Sequence, residues 1–408
     1  MRLRVERLGH AGDGIAPGPV FVRSALPGEL VEGEVEGGCM VRPRILDPVP
    51  SRVTPPCVHA RSCGGCRLQH ASEEFVAGWK RECVAQALAL RGLQAQIAPQ
   101  VLTSPPRSRR RATLAGRRTR DGVLVGFHAR ASDRIVEIPG CLVLHPELMA
   151  LIPALQALVR AGASRRDVLA MAVTRTLTGP DVATSGGLPP GPLQRQELAR
   201  IAADHALARL TWGGEVIAQS ATPQIAIGRA RVALPPGGFL QATAEGEAAL
   251  VRLLSEAVRG APWVADLFCG IGTFALPIAE EAEVDAFDGD AALVASLAQA
   301  VRHTAGLHPL RPVRRDLFRR PLEPAELAKF DAVVIDPPRA GAAAQVARLA
   351  ASSVPVIAMA SCNPATFARD AATLVAAGYR MGPISVIDQF RWSAEVEIAA
   401  RFARVDRG

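Results

Sequence analysis

The stretch Val264-Ala265-Asp266-Leu267-Phe268-Cys269-Gly270-Ile271-Gly272-Thr273 is an apolar run that breaks into two closely spaced glycines. It reads as a strand turning directly into a helix, with Gly270 and Gly272 leaving the backbone bare for a ligand. Outward from it the texture repeats: WVADLF, EVDAFD, FDAVVID and VPVIAMAS are separated by alanine-rich segments of helical pattern. Such alternation implies βαβ units and a mostly parallel sheet covered on both faces. A sheet of that kind binds ligands at the carboxyl ends of its strands. Gly270-x-Gly272-x-x-Ala275 also fits a relaxed dinucleotide fingerprint, a weak signal by itself. A carboxylate marks each successive strand end: Asp266, Asp288, Asp316 and Asp336.

Upstream the pattern changes. Residues 1–54 alternate apolar and polar positions in short runs broken by glycine and proline, which favours a small β-barrel. The Pro-rich joint DPVPSRVTPP leads into Cys57, Cys63 and Cys66, and the spacing of Phe75, Trp79, Cys83, Ala87 and Leu88 predicts a helix over residues 73–91. A hairpin turning at Asp121-Gly122, a second strand pair near 168–184, and helices near 147–161 and 192–206 make the middle of the chain mixed α/β. The expected organisation is therefore an α/β multidomain chain of three units, 1–54, 55–239 and 240–408, with the 73–91 helix a candidate to pack on the third.

The chain has 408 residues, enough for more than one core, and carries a formal charge of +8 with a pI near 9.5. The excess is mostly arginine, as in Arg107, Arg109, Arg110, Arg111, Arg117, Arg118 and Arg120, whose planar forks suit phosphate; solvated charged faces are the alternative. Nothing in the sequence gives a membrane-length apolar run or a leader, and a cytoplasmic protein is expected. In that compartment eight cysteines argue for metal binding or catalysis over disulfides.

Three further segments carry chemistry: Asp336-Pro337-Pro338-Arg339 and Ser361-Cys362-Asn363-Pro364, closing the fourth and fifth strands, and the run from Asp388 to Glu397, DQFRWSAEVE. With Gly238-Phe239-Leu240-Gln241-Ala242 they resemble the uracil-5 RNA methyltransferases, and the strand-end carboxylates resemble those of class I (Rossmann-like) methyltransferases. The resemblance implies S-adenosylmethionine as cofactor, held through Gln241, Asp266, Phe268, Gly270, Gly272, Thr273 and Asp336, with Asp288 on the ribose and Asp316 near the adenine. It implies Cys362 as nucleophile on uracil carbon 6, Glu397 as the base that removes the carbon-5 proton, and Asp336 as a third catalytic group. Carbon 5 of uracil is a weak nucleophile until a thiolate adds at carbon 6, which is why this chemistry wants a cysteine. The family usually carries histidine two places before the glutamate; here that place is Glu395, which could either raise the pKa of Glu397 or reach solvent.

The first 54 residues resemble the OB-like TRAM module, through Gly9, Gly12, Gly14, Phe21-Val22 and the run Leu26-Pro27-Gly28-Glu29. The loop Cys57-x5-Cys63-Gly64-Gly65-Cys66 with Cys141 matches the family's four-thiolate site, which implies a [4Fe–4S] cluster, zinc being the alternative. Cys83 falls on the apolar face of its helix and is read as packing. The implied partner is RNA, 23S rRNA first and the T-loop of tRNA second, bound by a monomer. An exocyclic-amine RNA methyltransferase, or an RNA-binding iron–sulfur protein without catalysis, would account for part of these features but not for Cys362 and Glu397 together.

Overall fold

The structure, a computed structural model, describes residues 1–405. Seven short strands come first: β1 (Arg2–Arg4), β2 (Arg7–Leu8), β3 (Gly14–Ala16), β4 (Val20–Val22), β5 (Leu30–Glu32), β6 (Cys39–Met40) and β7 (Arg44–Asp47). They form a three-stranded sheet, β1-β5-β7, and a four-stranded one, β2-β3-β4-β6, around a small core of Val5, Val22, Val31 and Met40. The buried carboxylate of Glu29 takes the N–H of Leu26 and pairs with Arg52, tying the unit to the joint that follows it.

Helix α1 (Glu73–Ala89) starts where Ser72 accepts the N–H of Phe75 at 3.2 Å and two glutamates sit in the first turn. It buries Val76, Lys80, Val84 and Leu88, a stripe at helical spacing with one lysine in it. Next come β8 (Ile97–Thr103), β9 (Arg111–Arg118), β10 (Val123–His128), β11 (Ile135–Glu137), α2 (Pro146–Met149), α3 (Ile152–Gly162), β12 (Leu169–Thr174), β13 (Asp181–Ser185), α4 (Pro192–Asp204), β14 (Arg209–Trp212) and β15 (Glu215–Gln219). All the strands of this group except β8 join one seven-stranded sheet, β11-β10-β9-β12-β13-β14-β15, with α3 packed on it. The single helix expected near 147–161 is divided in two, because Pro153 at the start of α3 has no N–H with which to continue the preceding turn.

The last part comprises the hairpin β16 (Gln224–Ile227) and β17 (Ala230–Ala233), then α5 (Ala244–Ala257), β18 (Trp263–Leu267), α6 (Ala275–Ile278), β19 (Glu283–Asp288), α7 (Ala291–Arg302), β20 (Leu310–Arg314), α8 (Pro324–Leu327), β21 (Ala332–Ile335), α9 (Ala343–Ala350), β22 (Val356–Ser361), α10 (Pro364–Ala376), β23 (Tyr379–Asp388) and β24 (Glu397–Arg404). Its eight-stranded sheet has the order β20-β19-β18-β21-β22-β24-β23-β8. Strands β20 to β22 in that order are parallel, and β24 runs antiparallel between β22 and β23. The sheet is buried between two apolar layers, one around Leu250, Ile271 and Leu297, the other around Phe330, Leu349 and Phe367.

Two segments from inside the 55–239 span join this last unit. Strand β8 pairs in parallel with β23 and supplies the sheet's edge, and Ile225, Ile227 and Val232 of the β16–β17 hairpin sink into the same core as α7. Helix α1 packs on α10. No helix among the described residues is long and apolar enough to cross a membrane.

Candidate active site

The carboxyl ends of β18, β19, β21 and β22 open on one cleft of about 700 Å³. Gln241, Phe268, Gly270, Asp288, Asp316 and Asp336 line it, together with Cys362 and Glu397. Of the residues singled out in the sequence, Asp266, Gly272 and Thr273 do not. Asp266 is fully buried beneath the floor, and burial together with neighbouring Asp336 pushes its carboxyl up to about 8. Gly272 is a hinge of packing: at φ +93° a β-carbon there would stand 2.5 Å from Leu297 of α7. Gly270, at φ +56°, faces open space instead, so that its backbone is bare toward the cleft.

The far end of the cleft suits a ribose and a flat base. Asp288 is aimed by the N–H groups of Gly270 and Asp290, at 2.9 and 2.8 Å, which leaves outward-facing lone pairs for hydroxyls. Asp316 is fixed likewise by the N–H of Phe318, and the Phe268 and Phe318 rings lie 5.3 Å apart on the same side. S-adenosylmethionine fits this donor and acceptor set.

The near end holds Cys362, Asp336 and Glu397. Cys362 follows the last residue of β22 and precedes Asn363, whose side chain caps α10 by accepting the N–H of Ala365. A helix N-terminus favours a thiolate. Burial nevertheless dominates, and with the Glu397 and Asp336 carboxylates beside it the thiol is pushed up to about 11. Glu397, first residue of β24 and only 6% exposed, is pushed up to about 8 by burial and then by Asp336. Burial raises Asp336 to about 7. Arg339 is the cation that draws both Cys362 and Glu397 the other way. Glu395 settles into a role here: it pairs with Arg339 at 2.5 Å across the mouth of the cleft, and it raises Glu397 less than burial and Asp336 do.

A buried amide chain joins the two ends. Gln389 Nε2 donates to Gln241 Oε1 at 2.8 Å, and Gln241 Nε2 faces Asp336 Oδ2 at 3.5 Å. Arg110 and Arg111 act differently from the free phosphate forks that composition implies. Arg111 donates to the Leu240 carbonyl, while Arg110 donates to the Gln241 carbonyl and pairs with Glu247, so both clamp the segment that carries Gln241. Arg110, Arg111 and Gln389 gave no sequence signal of these roles, because each acts on a partner 129 to 148 positions away.

Cys57, Cys63, Cys66 and Cys141 line a second, smaller cavity with an apolar wall of Phe127, Ile138 and Val143. Burial, and after it the neighbouring cysteines, raise the Cys63 and Cys66 thiols, and the Gly65 N–H points at Cys63 Sγ at 3.4 Å. Among the described residues no group of three or more His, Cys, Asp or Glu side chains is arranged to hold a metal ion. Cys83 is elsewhere, on a groove between the N-terminal strands and the catalytic rim.

Comparison with known proteins agrees with this geometry. Residues 313–404 match the family described as tRNA (Uracil-5-)-methyltransferase. An uncharacterized RNA methyltransferase of Brucella suis biovar 1 is 43% identical over 98% of this chain and 97% of its own. The 23S rRNA (uracil(1939)-C(5))-methyltransferase RlmD of Chromohalobacter salexigens is 35% identical over 97% of this chain and 87% of its own. The fold is that of the Pyrococcus abyssi tRNA (uracil-54, C5)-methyltransferase, solved with S-adenosyl-L-homocysteine, at a TM-score of 0.76 over 99% of this chain and 100% of that one, with 22% identity. The chain thus belongs to the S-adenosylmethionine-dependent RNA uracil-5-methyltransferases.

Proposed function

We propose that this enzyme forms 5-methyluridine in 23S rRNA with Cys362 as nucleophile and Glu397 as base. The observation that carries the assignment of roles is the meeting of Cys362, Asp336 and Glu397 in the one cleft that also holds Gln241 and the strand-end carboxylates. The Cys362 thiolate adds to uracil carbon 6, and the electrons of the 5,6 double bond move toward the carbonyl at carbon 4. S-adenosylmethionine, when bound, supplies an electrophilic methyl group on its sulfonium. Carbon 5 takes that methyl as the thioether leaves with the sulfonium's bonding pair; Glu397, in its carboxylate form, then removes the carbon-5 proton, the C–H electron pair rebuilds the double bond, and the thiolate leaves carbon 6. Asp336, protonated in part at neutral pH, is placed to hold the Gln241 amide between cofactor and base.

The choice of 23S rRNA rests on the relative of 35% identity, whose own substrate that is. Mapping 5-methyluridine after incubating the enzyme with unmodified 23S rRNA and unmodified tRNA tests it: product in 23S rRNA is expected, and product confined to the tRNA T-loop would overturn it. We also propose that Cys57, Cys63, Cys66 and Cys141 carry a [4Fe–4S] cluster, supported by their convergence on one apolar cavity. Anaerobic purification should yield brown protein with about four irons per chain. Stoichiometric zinc, or iron that survives Cys141→Ser, would contradict the ligand set. A reducing, cytoplasmic compartment suits eight unbridged cysteines.

A further inference from the structure

Residues 388–396 join β23 to β24 and deliver Glu397 to the cleft, yet their main holds come from the segment that follows the cysteine loop. Trp392 sits in the left-handed region at φ +61°, and its carbonyl accepts the N–H groups of both Arg67 and Leu68, at 2.8 and 2.9 Å. Arg391 donates to the Ser104 carbonyl and pairs with Glu73. The Ser104 N–H in turn donates to the Asp388 carbonyl at 2.9 Å.

The innermost hold is Lys80. It lies in the apolar stripe of α1 with 0% of its surface exposed, its Nζ is 2.7 Å from Asp388 Oδ1, and it stands 3.5 Å from the Phe390 carbonyl. Asp388 also takes the Phe390 N–H at 3.0 Å, so lysine and carboxylate together close the turn that starts the loop. A buried pair of this kind adds little net stability, since apolar replacements of similar volume are often neutral or better. Burial in fact pulls the Lys80 ammonium down against the pull of Asp388. The pair gives geometry instead.

We propose that Lys80 is a positioning residue for proton abstraction: by gripping Asp388 and Phe390 from inside, it sets the register with which Glu397 enters β24 and meets the carbon-5 proton. The claim rests on the assignment of Glu397 as base. Lys80 touches no reacting atom, and its largest effect falls on the last chemical step. The methyl-transfer steps use Cys362, which stands between β22 and α10, and the cofactor end of the cleft, which the loop reaches only through Gln389 on Gln241.

The test uses the full chain as Lys80→Met, as Lys80→Met with Asp388→Asn, and as Glu397→Gln. Each is followed in a single turnover on RNA for formation and clearance of the methylated protein–RNA adduct, with S-adenosylhomocysteine binding and thermal melting measured alongside. Both lysine variants should form adduct and bind S-adenosylhomocysteine within the several-fold set by the Gln389–Gln241 bond, but clear the adduct about ten- to a hundredfold more slowly, the range expected of a base displaced by about an ångström. The double variant should melt no lower than the unmodified enzyme. A double variant that melts and clears normally would show Lys80 to be packing only, and one that fails to fold would refute the argument from neutral replacement; either result overturns the proposal. Normal clearance by Glu397→Gln would instead remove the base assignment, whatever the lysine variants do.

Discussion

Cys362 and Asp336 stand at the ends of adjacent parallel strands, whereas Glu395 lies in a loop, and Glu397 opens the strand that follows it, with the loop held by residues as many as 318 positions away. Both halves face the same cleft. In the first, position follows from local chain geometry: a strand ends, a proline or helix cap stops it, and the next side chain points out of the carboxyl edge. In the second, position follows from packing between segments that meet only after folding. The parallel-strand half should therefore tolerate changes outside itself, and the loop half should not.

The largest effect that sharpens this contrast is expected from Glu397→Gln. Loss of the base should leave adduct formation intact and slow its release by roughly 10²- to 10⁴-fold, seen as an RNA-linked band on denaturing gels. If Glu397→Gln turns over normally and Glu395→Gln does not, the base is Glu395.

Arg339 bridges the two halves, since it follows the Asp336 turn and pairs with Glu395 of the loop. It is also the cation that lowers Cys362 and Glu397. With the thiol at about 11 and needed as thiolate, capture of 5-fluorouridine RNA should rise with pH from 7 to 9 without a plateau. Arg339→Met should displace that rise toward higher pH by lifting the thiol further, and an unchanged profile would detach Arg339 from the chemistry.

A smaller effect is expected where the loop reaches across to the cofactor end. Gln389→Leu should free the Gln241 amide and raise KM for S-adenosylmethionine several-fold, the scale of one lost buried hydrogen bond at about 1 kcal/mol, with little change in adduct clearance. A clearance defect equal to that of Glu397→Gln would mean that Gln389 acts on the base instead.

The smallest effect is on stability. Glu397 is raised to about 8 in the folded protein from an ordinary carboxyl value near 4.5. A raised acid binds its proton more tightly when folded, so its contribution is complete below about 4.5 and is lost as pH climbs through about 8. Gln stays neutral throughout. The melting temperature of Glu397→Gln should therefore gain on the unmodified enzyme between pH 5.5 and 8.5, and a constant difference would mean that Glu397 is not held protonated.

The same division explains what could be read from the sequence. Strand ends with carboxylates, the Asp336-Pro337-Pro338 turn and Cys362 before a helix cap are local patterns, and all reach the cleft rim or its floor. The short N-terminal strands, which form two small sheets where the pattern predicts a barrel, the 111–128 hairpin and α1 likewise follow short-range alternation, helical spacing and caps. Hidden from it were β8 as the edge of the catalytic sheet, the clamps by Arg110 and Arg111, and Lys80 in the apolar stripe of α1, because each is defined by a partner distant in sequence. Glu395 is the instructive residue. Alternation puts it on the same strand face as Glu397, yet residues 389–396 are irregular, and the side chain turns out to Arg339.

The central claim, covalent catalysis by Cys362, is tested most directly by incubating the enzyme and Cys362→Ala with S-adenosylmethionine and RNA carrying 5-fluorouridine at the target. Fluorine cannot leave as the proton does, so the unmodified enzyme should be trapped as a methylated RNA adduct whose digest places the uracil on Cys362, while Cys362→Ala binds S-adenosylhomocysteine normally and forms no adduct. An adduct on another residue, or full methylation of ordinary RNA by Cys362→Ala, would contradict the account.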